Sequence, residues 1–212
     1  MSLLPADDDL DLIHTRHYET RVYHVSDQEL LARGGISDTK PPGLYVIDDD
    51  ETLEIHQMAV ELRVTLPALE ITGVTILFET HPHSSCPLVV PRYDQLLGLS
   101  IARGFTHKVR ELFGGPRGCT HTNALLQAMA PAVVQALWSV TVKGERESGR
   151  GHVPSGSKDR ERRMAGSLNT CHVWDEQGDH VAALRRGERS GFPPLPIQER
   201  LRSLGRDPDD WG

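Results

Sequence analysis

Aromatic residues are scarce, at 5% of the 212-residue chain, and cysteine occurs only three times. Few aromatics beside 19 glycines and 14 prolines predict that part of the chain is loop or tail. Three cysteines against 11 histidines do not make a disulfide framework. They fit a reducing cytosol, where thiols and imidazoles are free to meet a metal. An excess of basic charge is also lacking: 23 Lys and Arg stand against 30 Asp and Glu, a net charge of -7. A nucleic-acid partner is therefore not expected. No uninterrupted apolar run approaches the roughly 18 residues of a membrane span. Residues 1–11 carry Asp7, Asp8, Asp9 and Asp11 and no basic residue, unlike a secretory signal or a transit peptide. These absences predict a cytoplasmic protein without a membrane partner. C-x-x-C pairs, a serine elbow, a P-loop and a dinucleotide glycine fingerprint are all missing. Residues 114–118 contain Pro116 and no Lys-Ser/Thr, which excludes a phosphate cradle.

What is present suffices for one domain with a core, plus tails. Residues 1–12 read as an acidic, disordered lead-in. Residues 16–24 alternate with a period of two and β-favouring types, so a strand is expected. A short segment over 29–33 is expected to end at Gly34-Gly35, and residues 44–47 form a short apolar strand candidate. The clearest strands follow. In 53–66, His56, Met58, Val60, Leu62 and Val64 share one face, and 69–80 runs back antiparallel to it.

Helical spacing takes over after Pro82. Residues 94–113 predict one broken or two short helices ending at Gly114-Gly115. Residues 122–142 carry the strongest apolar stripe, with Leu125, Leu126, Met129, Val133 and Leu137 in helical register and Pro131 inside it. The expected fold is α+β: an antiparallel β-meander followed by helices packed on one face, over residues 13–142. Residues 143–166, rich in Gly, Ser, Glu and Arg, predict a flexible basic linker. Residues 167–212 predict a C-terminal extension packing on the domain. Its proline run near Pro193 and Pro194 could alternatively bind a partner's groove.

Chemistry concentrates around the cysteines. Each has a histidine within five positions: His81, His83 and Cys86; Cys119 and His121; Cys171 and His172. Thiolate and imidazole are ligands favoured by zinc and by iron. Cys119 and His121 open the strongest helix, where free N–H groups and the helix dipole favour a thiolate. Thr120, Thr122 and Asn123 are its candidate caps. Cys86 follows the second long strand. His56 lies on the apolar face of the first, where an imidazole needs a polar partner or a metal. The expected metal set is therefore His56, Cys86, Cys119 and His121, holding mononuclear zinc or iron rather than an iron–sulfur cluster. His14, Asp38 and Glu79 are candidate acid–base groups. The roles of Cys171 and His172 stay open between ligand and packing. Cys119 with His121 as base is also a candidate nucleophile pair.

Several stretches carry a resemblance: Ile13-His14-Thr15-Arg16, residues 37–41, Ile55-His56-Gln57-Met58, residues 82–86, Gly104-Phe105 and Gly118-Cys119-Thr120-His121. Together they resemble a bacterial domain-of-unknown-function family over about residues 10–180. That resemblance implies His56, Cys86, Cys119 and His121 as functional positions, with His14, Asp38, Cys171 and His172 beside them. In the order of its elements the chain is also similar to U-type iron–sulfur cluster scaffold proteins. It departs from them in carrying His56 where they carry cysteine, and in separating Cys119 from His121 by Thr120.

Three functions are compatible with these features. The first is a metal-dependent enzyme, of hydrolase or lyase type, acting on a small molecule. The second is an iron–sulfur or metal-delivery scaffold. The third is a metal-free interaction module.

Overall fold

The computed structural model describes residues 4, 9–102, 104–149, 156–188 and 193–211. Its frame is a four-stranded sheet in the order β1 (Thr15–Ser26), β2 (Glu29–Lys40), β3 (Leu53–Thr65) and β4 (Ile71–Thr80). Every neighbouring pair is antiparallel, so the sheet is a meander. With the helices that follow, this is the α+β arrangement expected.

The alternation that makes the strands also divides the two faces of the sheet. Leu30, Ala32 and Ile36 of β2 and Met58, Val60, Leu62 and Val64 of β3 are buried together on one face. Burying each of the Leu, Ile, Val and Met side chains contributes about 1.5–3 kcal/mol. The face is covered by α1 (Phe105–Phe113) and α2 (Thr120–Glu147). Phe105, Val109 and Phe113 recur every fourth residue of α1, and Leu125, Leu126, Met129, Ala130 and Val133 form the buried stripe of α2. A 3₁₀ segment, Cys86–Leu96, adds Tyr93 and Leu96 to the same core. Pro87 and Pro91 lie within it.

Two local expectations are corrected. β2 does not stop at Arg33 but runs through both glycines to Lys40. Gly34 lies directly beneath α2: a Cβ there would collide with the Met129 sulfur and lie 3.0 Å from Leu125 Cδ1. The glycine permits close helix–sheet approach rather than ending the strand. Residues 44–47 are turn and bend, not strand; Pro41-Pro42-Gly43 before them and three aspartates after them favour a loop. By length and mean hydropathy alone α2 passes the threshold for a helix that could cross a membrane. Its buried stripe accounts for part of that apolarity.

The chain divides into two compact units, Met1–Val140 and Thr141–Gly212. The second contains the end of α2, α3 (Ser157–Met164), α4 (Asp179–Arg186) and α5 (Leu195–Ser203). The stretch expected as a linker, 143–166, carries the last turns of α2 and all of α3; residues 150–155 lie outside the described residues. Within this unit Val181, Ala183, Met164, Leu201 and Trp211 are buried, and Arg163 pairs with Glu145 at 2.6 Å.

Candidate metal centre

The register of the sheet builds the site. Arg16 of β1, Asp38 of β2 and His56 of β3 are directly opposite one another, a single row across three strands. Such partners stand within side-chain reach. Asp38 continues the core face of β2 after Ile36 and is only 2% exposed. A carboxylate there requires compensation. Arg16 supplies it with two parallel hydrogen bonds, Nε to Oδ1 at 2.6 Å and an NH2 group to Oδ2 at 2.7 Å. The Arg16 guanidinium holds the Asp38 carboxyl well below the usual carboxylate range, overriding the desolvation of burial. His14, two residues before Arg16, places Nε2 3.5 Å from Oδ1.

The second half comes from the start of α2. Tyr93, fully buried, fixes that start: its hydroxyl accepts the Cys119 N–H at 2.8 Å and donates to Asn123 Oδ1 at 2.9 Å. Asn123 Nδ2 donates to the Phe113 carbonyl at the end of α1 at 2.7 Å. Gly118 lets the two ends touch, because a Cβ there would collide with the Phe113 carbonyl oxygen and lie 2.7 Å from Phe113 Cβ. Held this way, the first turn of α2 projects His121 Nε2 to 2.9 Å from Asp38 Oδ2. The His56 and His121 rings lie 3.9 Å apart between centroids, tilted by 30°. Burial, together with His56 and Arg16, moves the His121 imidazole below its ordinary value against the pull of Asp38.

Asp38 Oδ2 is thus the meeting point. His56 Nδ1 lies 3.1 Å from it, yet this buried nitrogen has no aligned hydrogen-bond partner. Asp38, His56 and His121 offer three ligand atoms that all lie within 4.8 Å of one another. Among the described residues they are a candidate metal-binding group, compatible with a mononuclear ion.

The cysteines do not join that group. Cys119 Sγ lies 3.8 Å from His121 Nδ1, the ring nitrogen on the far side from Asp38. A sulfur there is turned away from an ion held at Nε2. Cys86, half-buried, begins the 3₁₀ segment, and its N–H donates to the His83 carbonyl. The expected quartet of His56, Cys86, Cys119 and His121 is therefore not gathered around one point, whereas Asp38 stands between the two histidines. Glu79 is exposed on β4. Cys171 is exposed at the start of a short 3₁₀ turn, His172–Trp174, in the second unit.

The role of Arg16 and the central place of Asp38 were missed in the sequence. The signal for Asp38 was the period of two through Gly34, Ile36 and Asp38, which puts a carboxylate on the core face once the glycines are accepted within the strand.

Over residues 14–135, more than half of its length, the chain matches the family described as Protein of unknown function (DUF2889), and it belongs to that family. His14, Arg16, Asp38, His56, Cys119 and His121 all fall inside the matched segment. The chain matches none of the curated proteins. No solved structure matches it either.

Proposed function

We propose that this chain is a metal-dependent enzyme acting on a small molecule, with Asp38, His56 and His121 holding one zinc or iron(II) ion. The observation that carries this reading is the convergence of three ligand atoms on one point, one of them a buried imidazole nitrogen without an aligned hydrogen bond. Two imidazoles and a carboxylate are a ligand set used by catalytic zinc and by non-haem iron. Ligands about 2.0–2.1 Å from a tetrahedral ion stand about 3.3 Å apart. The separations of 2.9 Å and 3.1 Å need only a slight opening to match.

Three protein ligands leave a position for water or substrate, which separates a catalytic site from a closed structural one. A bound ion would supply a Lewis acid or a water acidified to a pKa of about 7. The protein's own contribution is orientation. Arg16 Nε on Oδ1 fixes the carboxylate plane, and the Tyr93 clamp fixes the first turn of α2. A scaffold role carrying an iron–sulfur cluster has less support, because no cysteine stands among the three gathered ligands.

One observation favours a second reading. Cys119 Sγ, His121 and Asp38 are linked in sequence, sulfur to Nδ1 at 3.8 Å and Nε2 to carboxylate at 2.9 Å. This is the order of nucleophile, base and orienting acid in a thiol enzyme. Elemental analysis with alkylation separates the two. The metal reading expects near-stoichiometric zinc or iron in purified protein, lost in His56→Ala. The thiol reading expects no metal, with rapid iodoacetamide labelling of Cys119 that His121→Ala slows.

A further inference from the structure

β1 stands at the edge of the sheet, and among the described residues no strand pairs with its outer side. It pairs with β2 alone, and none of its twelve residues is buried. That pairing is regular from Thr15 to His24, with one shift of register before Ser26. The regular stretch holds no proline, glycine or lysine. Edge strands that stay alone are mostly short, bulged, covered or guarded by such residues, because their free N–H and C=O groups recruit another strand. Tyr18, Tyr23 and Val25 add exposed apolar surface to β1, at 46%, 39% and 49%.

The strand is complementary to itself. Two copies pairing antiparallel about a two-fold axis must present the same face, so the axis passes at a residue rather than between two. Three such registers use most of the regular stretch, centred on Glu19, Thr20 or Arg21. The first sets Glu19 against the partner's Glu19, and the third sets Arg21 against the partner's Arg21; like charges directly opposite are destabilising. The register centred on Thr20 sets Glu19 against the partner's Arg21, and Arg21 against the partner's Glu19. Within one chain these two side chains already bond, Arg21 Nε to Glu19 Oε1 at 2.6 Å. Two such pairs then close a ring of alternating charge around the axis. The same register sets Tyr18 opposite the partner's Val22 and His17 opposite the partner's Tyr23. It engages residues 16–24, which lie wholly within the regular stretch. At its ends Arg16, already bonded to Asp38, meets the partner's His24.

We infer that β1 is the interface of a symmetric dimer, pairing with β1 of a second copy about Thr20 to make one eight-stranded sheet. The occupant is a second copy rather than a foreign strand because the charges of β1 answer one another in this register and in neither adjacent one. The net charge of -7 on each chain does not oppose contact at this edge, where β1 carries two arginines against one glutamate. The inference is independent of the metal reading. It bears on the same site only in that β1 also carries Arg16, at the end of the paired stretch.

Sedimentation of the full-length protein across the micromolar range tests this with charge exchanges at two exposed residues. The parent is expected to be a dimer. Glu19→Arg and Arg21→Glu should each weaken the dimer about tenfold or more, because each sets like charges opposite one another twice across the axis. The double exchange, Glu19→Arg with Arg21→Glu, should restore the dimer, since opposite charges then face each other again. Only the register centred on Thr20 predicts that rescue. Circular dichroism of each variant checks that the sheet is kept. A monomeric parent would overturn the inference and leave the edge to a strand from another protein. A dimer unmoved by either single exchange would also overturn it, as would a double exchange that fails to restore association. Metal content is measured on the same samples, and its absence would count against the metal reading alone.

Discussion

Asp38 is the residue on which the site turns. Its carboxylate is almost fully buried, accepts two hydrogen bonds from Arg16 and one from His121, and lies within 3.1 Å of His56. Its pKa is depressed in the folded chain, chiefly by the Arg16 hydrogen bonds. The linkage sign follows: its stabilising contribution is present above the unfolded value of about 3.9 and is lost as pH falls towards the folded one. Asp38→Asn is expected to cost about 1.5–3 kcal/mol at neutral pH, the usual scale for a hydrogen bond to a charged group. Denaturant unfolding at stepped pH should show that cost shrinking below about pH 4. An unchanged difference between the two proteins in acid would contradict the ion-pair account. His56 and His121 were legible from sequence because one falls on a regular apolar face and the other at a helix mouth. Asp38 was named as an acid–base candidate and through the family resemblance but not as a ligand, since its strand was expected to end five residues earlier.

At the scale of elements, the site depends on where α2 begins. Tyr93 is buried and its pKa is pushed up to about 12, by burial first. A raised value means that the stabilisation is full below the unfolded pKa of about 10 and is lost as pH rises towards 12. Tyr93→Phe removes the partner of the Cys119 N–H and of Asn123, and is expected to cost about 1–3 kcal/mol. It should also abolish most of the alkaline loss of stability. Retention of that loss in the variant would assign it to another group. Gly118→Ala is the sharper test of position. Its backbone is extended, so a side chain is not conformationally strained there, yet a Cβ collides with the Phe113 backbone. The variant should shift the start of α2 and lower metal content while the sheet's circular dichroism persists. Full metal content would show that the contact does not set the site.

The long strands β3 and β4 and the stripe of α2 were readable because each exposes one face, leaving a clean period in the sequence. β2 was only half readable. Gly34 answers a contact with Met129 and Leu125 that lies nearly a hundred residues away, which no local pattern encodes. The loop at 44–47 misled for the opposite reason: its apolar residues look like a buried strand but stay in solvent.

On the scale of the whole molecule, everything described for the centre lies within the first compact unit and within the segment matched to the family. The chain cut after Gly149 is therefore expected to keep the sheet, the Tyr93 clamp and the metal. Loss of soluble protein on truncation would show instead that residues 150–212 supply part of what the first unit needs. The sequence expectation of a linker at 143–166 rested on composition alone. Charged residues there form α3 and its ion pairs, such as Arg163 with Asp159 at 3.1 Å and with Glu145. Charge runs of this kind are solvated in a linker and paired in a helix, and composition does not distinguish the two.

The central claim is that two imidazoles and one buried carboxylate hold an ion together. Elemental analysis of purified, untagged protein beside its Asp38→Asn, His56→Ala and Cys86→Ser variants tests it most directly. The account predicts about one zinc or iron per chain in the parent and in Cys86→Ser, and a large loss in the other two. Metal retained in His56→Ala and Asp38→Asn but lost in Cys86→Ser would contradict it.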